Sequence, residues 1–86
     1  RANLYETNFE GGNFEKTNFT SANLTRANFK AASLIESNFT NANLFEADFT
    51  GSNILNAIFE GANLNNVTWS DGKKCGLNSI GECKIK

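Results

Sequence analysis

Histidine, methionine and proline are absent from this sequence. Without histidine the chain lacks the commonest general base and the commonest metal ligand, and its serines and threonines have no imidazole to activate them. No apolar run approaches the roughly 18 residues a membrane-spanning helix needs, so no membrane insertion is expected. No segment has the form of a signal peptide. Charge of one sign is also missing: eight basic and nine acidic residues give a net −1. That balance argues against a nucleic-acid binder working through a basic surface and, more weakly, against a strongly acidic mimic of nucleic acid. Eighty-six residues allow one small domain, whose core needs help from a cross-link, a partner or a repetitive stack.

What the sequence does contain is a period. In SNFTNANLFEADFTGSN, residues 37–53, the large apolar residues Phe39, Leu44 and Phe49 recur every five positions. An amphipathic helix would space them by three and four, and a half-buried strand by two. Extended along the chain, the register gives Leu4, Phe9, Phe14, Phe19, Leu24, Phe29, Leu34, Phe39, Leu44, Phe49, Ile54, Phe59, Leu64 and Trp69, all large and apolar. Two positions before each stands a small or short residue, from Ala2 and Thr7 through Gly12, Ala22 and Ser37 to Val67. The position between is Asn in ten of the fourteen units, with Ser33, Asp48, Ile58 and Thr68 as departures. The last two places of each unit are mostly polar, charged or Gly.

This consensus, A-N-[LF]-x-x over residues 1–70, resembles the pentapeptide-repeat family. The resemblance implies an all-β fold, a right-handed quadrilateral β-helix of about 3.5 coils, four pentapeptides to a coil. Each large residue and the small residue two before it would point inward. Residues twenty apart would then stack, and the sequence offers matching columns: Leu4, Leu24, Leu44, Leu64; Phe9, Phe29, Phe49, Trp69; Phe19, Phe39, Phe59; and a mixed Phe14, Leu34, Ile54. Outside, Glu6, Arg26 and Glu46 alternate in sign down one column, Lys16 lies over Glu36, and Glu10 over Lys30. The Asn column is expected to hydrogen-bond backbone and neighbouring amides at the corners, where Asn and Asp suit turn geometry.

After Trp69 the pattern stops. Residues 71–86 carry two acidic and four basic residues, against −3 for residues 1–70, and are expected to form a separate C-terminal cap. Leu77 and Ile80, three apart, suggest a short helical turn laying its apolar side on the last coil. Cys75 and Cys83 are the only cysteines. A disulfide between them would contribute about 2.5 kcal/mol through loop entropy and would require an oxidising compartment; the other reading is two unrelated thiols in a reducing one. Their shared place in a short tail, with little else to fix it, favours the bond. A staple and a redox-switched bond read alike in sequence. Two thiolates without histidine leave a zinc site half filled, so neither metal nor other cofactor is expected. Trp69, Asp71-Gly72, Cys75, Ser79, Gly81 and Cys83 are similar to the C-terminal bracket of pentapeptide-repeat proteins of the thylakoid lumen of cyanobacteria and plant chloroplasts. The resemblance implies that location, with another oxidising compartment such as the periplasm as the alternative. At the other end the chain opens in mid-pattern at RANL, with no cap visible, which reads as a processed or trimmed product.

No constellation for catalysis assembles. Glu6, Glu10, Glu15, Glu36, Glu46 and Glu60 fall at outward places, as a solvated face would have them. The sequons headed by Asn18, Asn23, Asn38 and Asn66 follow automatically from the repeat, and a packed corner Asn is a poor glycan acceptor. More informative are apolar residues at outward places: Ile35 and Leu55 on one face, with Ile58 near the adjoining corner, and Tyr5 and Phe45 on another. Contiguous exposed apolar side chains mark interaction surfaces. The expectation is a non-enzymatic structural or protein-interaction module, monomeric or weakly dimeric, with a protein partner that the sequence does not name. The alternative is a regulator that mimics duplex DNA and binds a type II topoisomerase, as some members of the family do. That would need sustained acidic columns, which the alternating Glu6–Arg26–Glu46 column is not.

Overall fold

The computed structural model describes residues 3–85; Ala2, expected to begin the small inward column, lies outside the described residues. Every large apolar residue is followed by a tight corner. The amide of the residue three positions on donates to its carbonyl, as in Thr7 to Leu4 at 3.1 Å and Ala42 to Phe39 at 2.9 Å. The second residue of each corner up to the one after Leu64 has a positive φ, for example Glu6 at 58°, Arg26 at 60°, Gly51 at 72° and Asn66 at 61°; after Trp69 it falls one residue later, on Gly72 at 84°. A positive φ at that place alone is the type II arrangement, which favours Gly or Asn. Many corners hold Glu, Lys, Arg or Ala instead, so tertiary pairing holds these residues in the left-handed region.

Between corners the backbone is extended just long enough to pair with the neighbouring coil. Parallel bridges join residues twenty apart, from Asn3–Asn23 and Asn8–Asn28 to Asn43–Asn63 and Asp48–Thr68. From Asn8–Asn28 onward each pairing is two-sided: Phe29 donates to Asp48 O at 2.8 Å, and Asp48 donates back to Ala27 O at 3.0 Å. Twenty residues divided by five give four sides. The first is built on Leu4, Leu24, Leu44 and Leu64, the second on Phe9, Phe29, Phe49 and Trp69. Phe14, Leu34 and Ile54 make the third, and Phe19, Phe39 and Phe59 the fourth.

The core is the inside of this square. Leu24, Phe29, Leu34, Phe39, Leu44, Phe49 and Leu64 are fully buried, each contributing about 1.5–3 kcal/mol. Rings of one side stack, Phe19 on Phe39 at 4.9 Å and 8° and Phe39 on Phe59 at 5.1 Å and 1°. Rings from facing sides meet edge to face, Phe29 against Phe39 at 5.7 Å and 87°. Ala22, Ala27, Ala32, Ala42, Ala47 and Ala62 fill the remaining interior. Ser37 takes such a place by donating its hydroxyl to Leu34 O at 2.7 Å. Phe14 brings the one aromatic ring to a column that otherwise holds Leu34 and Ile54, and it lies over Gly12, where any Cβ would collide with it.

The Asn column does what turn chemistry requires. Asn18 Oδ1 accepts the Thr20 amide at 2.9 Å and Asn53 Oδ1 the Leu55 amide at 3.1 Å. Between coils, Asn63 Nδ2 donates to Asn43 Oδ1 at 3.2 Å. Ser33 departs from this, donating instead to Glu15 Oε2 at 3.0 Å.

The C-terminal segment differs from expectation. No helical turn packs there. Leu77 is 83% exposed and Ile80 54%, so their apolar side does not rest on the last coil. The chain turns back after Trp69 and runs antiparallel to the final rung, with bridges Thr68–Lys74 and Asn63–Ile80. Asn78 and Gly81 take positive φ of 65° and 79°, breaking the segment into turns. This cap covers the first two sides only. On the third and fourth, the amides of Ile54, Asn56, Phe59 and Gly61 have no backbone acceptor among the described residues.

Candidate interaction surface

The outward residues are those the five-residue period leaves over. On the first side they form a charged column centred on Arg26. Its Nε donates to Glu46 Oε1 at 2.8 Å, while its Nη1 lies 3.6 Å from Glu6 Oε2 and donates to Tyr5 Oη at 3.4 Å. The hydrogen bond from Arg26 holds the Glu46 carboxyl below its ordinary range, against a partial opposing effect of desolvation, and the same bond raises the Arg26 guanidinium. Lys16 approaches Glu36 at 3.9 Å on the third side. Glu10 does not pair with Lys30 among the described residues; it accepts from Asn28 Nδ2 at 3.3 Å. Of the outward glutamates, Glu46 is half-buried and Glu6, Glu10, Glu15, Glu36 and Glu60 are exposed.

The apolar outward residues divide between sides. Tyr5, 48% exposed, and Phe45, 36% exposed, lie on the first side with Thr25 between them. Leu55, 61% exposed, lies on the third, and Ile58, 46% exposed, follows round the next corner on the fourth. Leu55 therefore lies on the side opposite Tyr5 and Phe45, and Ile58 on a side adjoining theirs. Ile35 is half-buried, not an open residue as its outward register suggests; its carbonyl also accepts the Lys16 amide at 2.9 Å. Three apolar residues missed as surface, Leu77, Ile80 and Ile85, are exposed in the cap. The signal that could have placed them outward was the flanking Gly76, Asn78 and Gly81, a turn composition.

Among the described residues no pocket is present, no group of three or more His, Cys, Asp or Glu is placed to hold a metal, and no helix is long and apolar enough to cross a membrane. Cys75 and Cys83 are joined in a disulfide with Cα atoms 5.0 Å apart.

The coil register meets an independent likeness in sequence: the family model of pentapeptide repeats matches residues 2–41 and 42–68. This chain belongs to the pentapeptide-repeat family. Members of the family fold as right-handed quadrilateral β-helices and are in general non-catalytic structural or interaction modules. Among solved structures, this pentapeptide-repeat chain is similar to HetL of the cyanobacterium Nostoc sp. strain PCC 7120, a protein involved in the regulation of heterocyst differentiation. The match has 27% identity and a TM-score of 0.83 over 85% of this chain and 34% of HetL. It is also similar to a pentapeptide-repeat protein of the Arabidopsis thaliana thylakoid lumen, with 32% identity and a TM-score of 0.76 over 77% of this chain and 46% of that one. The chain thus spans about a third of the first and just under half of the second. No curated protein matches the sequence.

Proposed function

We propose that this pentapeptide-repeat chain is a non-catalytic module that presents a rigid face to a protein partner in the thylakoid lumen of a chloroplast or cyanobacterium. The observation that carries the reading is the apolar corner of Leu55 and Ile58, 61% and 46% exposed, on a backbone fixed by coil-to-coil pairing. Such a corner gives a partner apolar area at little ordering cost, because the framework is already rigid. In this reading residues 1–70 are the repeat of about 3.5 coils, and residues 71–86 are the disulfide-bracketed cap. The module acts as a monomer or weak dimer and does no chemistry. The lumen is supported by the Cys75–Cys83 bond and by the likeness to the Arabidopsis lumen protein; the periplasm is the other oxidising compartment the bond would suit.

Immobilised protein incubated with lumen extract tests this. The wild type should retain a discrete protein that Leu55→Asp fails to retain while keeping its circular-dichroism spectrum. Retention unchanged by Leu55→Asp removes the proposed surface. A gyrase supercoiling assay separates this reading from DNA mimicry: no inhibition is expected, since Arg26 already neutralises the acidic column of Glu6 and Glu46, and clear inhibition would favour mimicry instead.

A further inference from the structure

The cap is held to the stack in an unusual way for so small a domain. Its apolar side chains Leu77, Ile80 and Ile85 are 83%, 54% and 50% exposed, and its buried positions are Cys75, Gly76 and Ser79. Apolar burial, the usual source of adhesion, is therefore nearly confined to the cystine itself. The remaining ties are hydrogen bonds to the last rung: Leu64 N to Ser79 O at 2.7 Å, Asn66 N to Cys75 O at 3.1 Å, Trp69 N to Lys73 O at 2.7 Å, Cys75 N to Val67 O at 2.8 Å and Gly81 N to Ala62 O at 2.9 Å between backbones, with Ser79 N to Asn65 Oδ1 at 2.9 Å and Lys74 Nζ to Thr68 Oγ1 at 3.3 Å through side chains. The segment beyond Ser79 returns to lie beside Cys75, through Gly76 N to Lys84 O at 2.6 Å and Lys84 N to Ser79 Oγ at 3.0 Å. The disulfide fixes that return.

We propose that the Cys75–Cys83 bond is a redox latch on the C-terminal end of the stack. Cys75 is fully buried and Cys83, packed against the core, is half-buried, so the attack is assigned to Cys83 Sγ. A thiolate of an external dithiol reductant bonds to Cys83 Sγ, and the S–S bond breaks with its electron pair leaving on Cys75 Sγ, which takes a proton. The reductant's second thiol, as its thiolate, displaces Cys83 in the same manner. The reductant ends as a disulfide and the protein as two thiols; two electrons and two protons have moved.

Release of residues 73–85 uncovers Leu64, Val67 and Trp69 and frees the amides of Leu64, Asn66 and Trp69, now bonded to Ser79 O, Cys75 O and Lys73 O. The open edge at Ile54, Asn56, Phe59 and Gly61 then extends round all four sides. A bare edge of this kind is a template for strand pairing, so reduction changes what the end of the module can bind while leaving the inner coils intact. The latch does not depend on the partner reading at Leu55.

Hydrogen exchange followed by mass spectrometry on the full chain tests it. The conditions are oxidised protein, protein reduced with dithiothreitol or with a thioredoxin under native conditions, and protein reoxidised afterwards. Reduction should speed exchange in residues 62–69 and 73–85 by roughly 50- to 100-fold, the loop-closure contribution of such a bond expressed as a rate. It should leave residues 22–49 unchanged, and reoxidation should restore the slow rates. Cys83→Ser should show the fast cap without reductant. Three results would each overturn the latch: a bond that resists both reductants, a cap as protected when reduced as when oxidised, or loss of protection that spreads through residues 22–49.

Discussion

Phe29 stacks on Phe49 with ring centroids 5.1 Å apart and planes 3° from parallel. The two residues are twenty positions apart in sequence and one coil apart in space, and both are fully buried. Their stacking is the packing counterpart of the Asn28–Asp48 bridge beside them: backbone pairing sets the separation, and the flat rings fill it. Phe29→Ala opens a ring-sized hole between Phe9 and Phe49 and should cost about 3–5 kcal/mol, read as a lowered urea midpoint. Phe14→Leu, in the column already mixed with Leu34 and Ile54, should cost less than about 1.5 kcal/mol. Equal costs at the two sites would contradict the column assignment.

Gly11, Ala31 and Gly51 occupy one corner column, with φ of 71°, 57° and 72°. Ala31 carries a Cβ in a region that disfavours it, whereas a Cβ on Gly51 would lie 3.9 Å from Ala31 N, an ordinary contact. The two substitutions therefore isolate the backbone preference. Ala31→Gly should stabilise and Gly51→Ala destabilise, each by about 0.5–1 kcal/mol. Thermal or urea unfolding measures both, and effects of the same sign would refute the corner geometry.

Asn38 Oδ1 accepts the Thr40 amide at 2.9 Å, whereas Ser33 leaves the equivalent Ile35 amide without a side-chain acceptor. Asn38→Ala should lose about 1 kcal/mol. Ser33→Asn should supply the missing acceptor at the expense of the Glu15 bond, for a net change within about 0.5 kcal/mol. Unfolding curves of the two variants report the difference.

Glu46 is depressed in the folded state, chiefly by its hydrogen bond from Arg26. A depressed carboxyl stabilises the fold above its unfolded pKa and loses that contribution as pH falls through the folded value. Melting temperature should accordingly drop on acidification across and below the ordinary carboxylate range. Glu46→Gln should be less stable than the wild type at neutral pH and converge with it in acid. Because Arg26 is exposed and Glu46 only half-buried, the gap should be small and should shrink with added salt. A gap that persists in acid would place its origin elsewhere.

The repeat was legible because its inward positions admit few residue types. A narrow square needs a large apolar residue at Leu24, Phe29, Leu34 and Phe39 and a small one at Ala22, Ala27, Ala32 and Ser37, so steric demand is written directly into the period. The corners were legible more weakly. Arg26, Ala31 and Glu36 sit at positive φ, which their side chains do not announce. The cap was misread because Leu77 and Ile80 have a helical spacing, while the turns at Asn78 and Gly81 and the antiparallel pairing of Ile80 with Asn63 decide where those side chains point. On the surface, the register separates outward from inward but does not grade exposure. Ile35 and Leu55 share a column, yet the first is half-buried and the second is 61% exposed.

A photo-reactive amino acid placed at position 55 and, separately, at position 30 tests most directly the claim that one face of this module is built for a protein partner. Lys30 is also outward and exposed, on the second side of the coil. Irradiation in lumen extract should give a discrete protein adduct from position 55 and none of the same mass from position 30. The same adducts from both positions, or none from position 55, would contradict a dedicated face at Leu55 and Ile58.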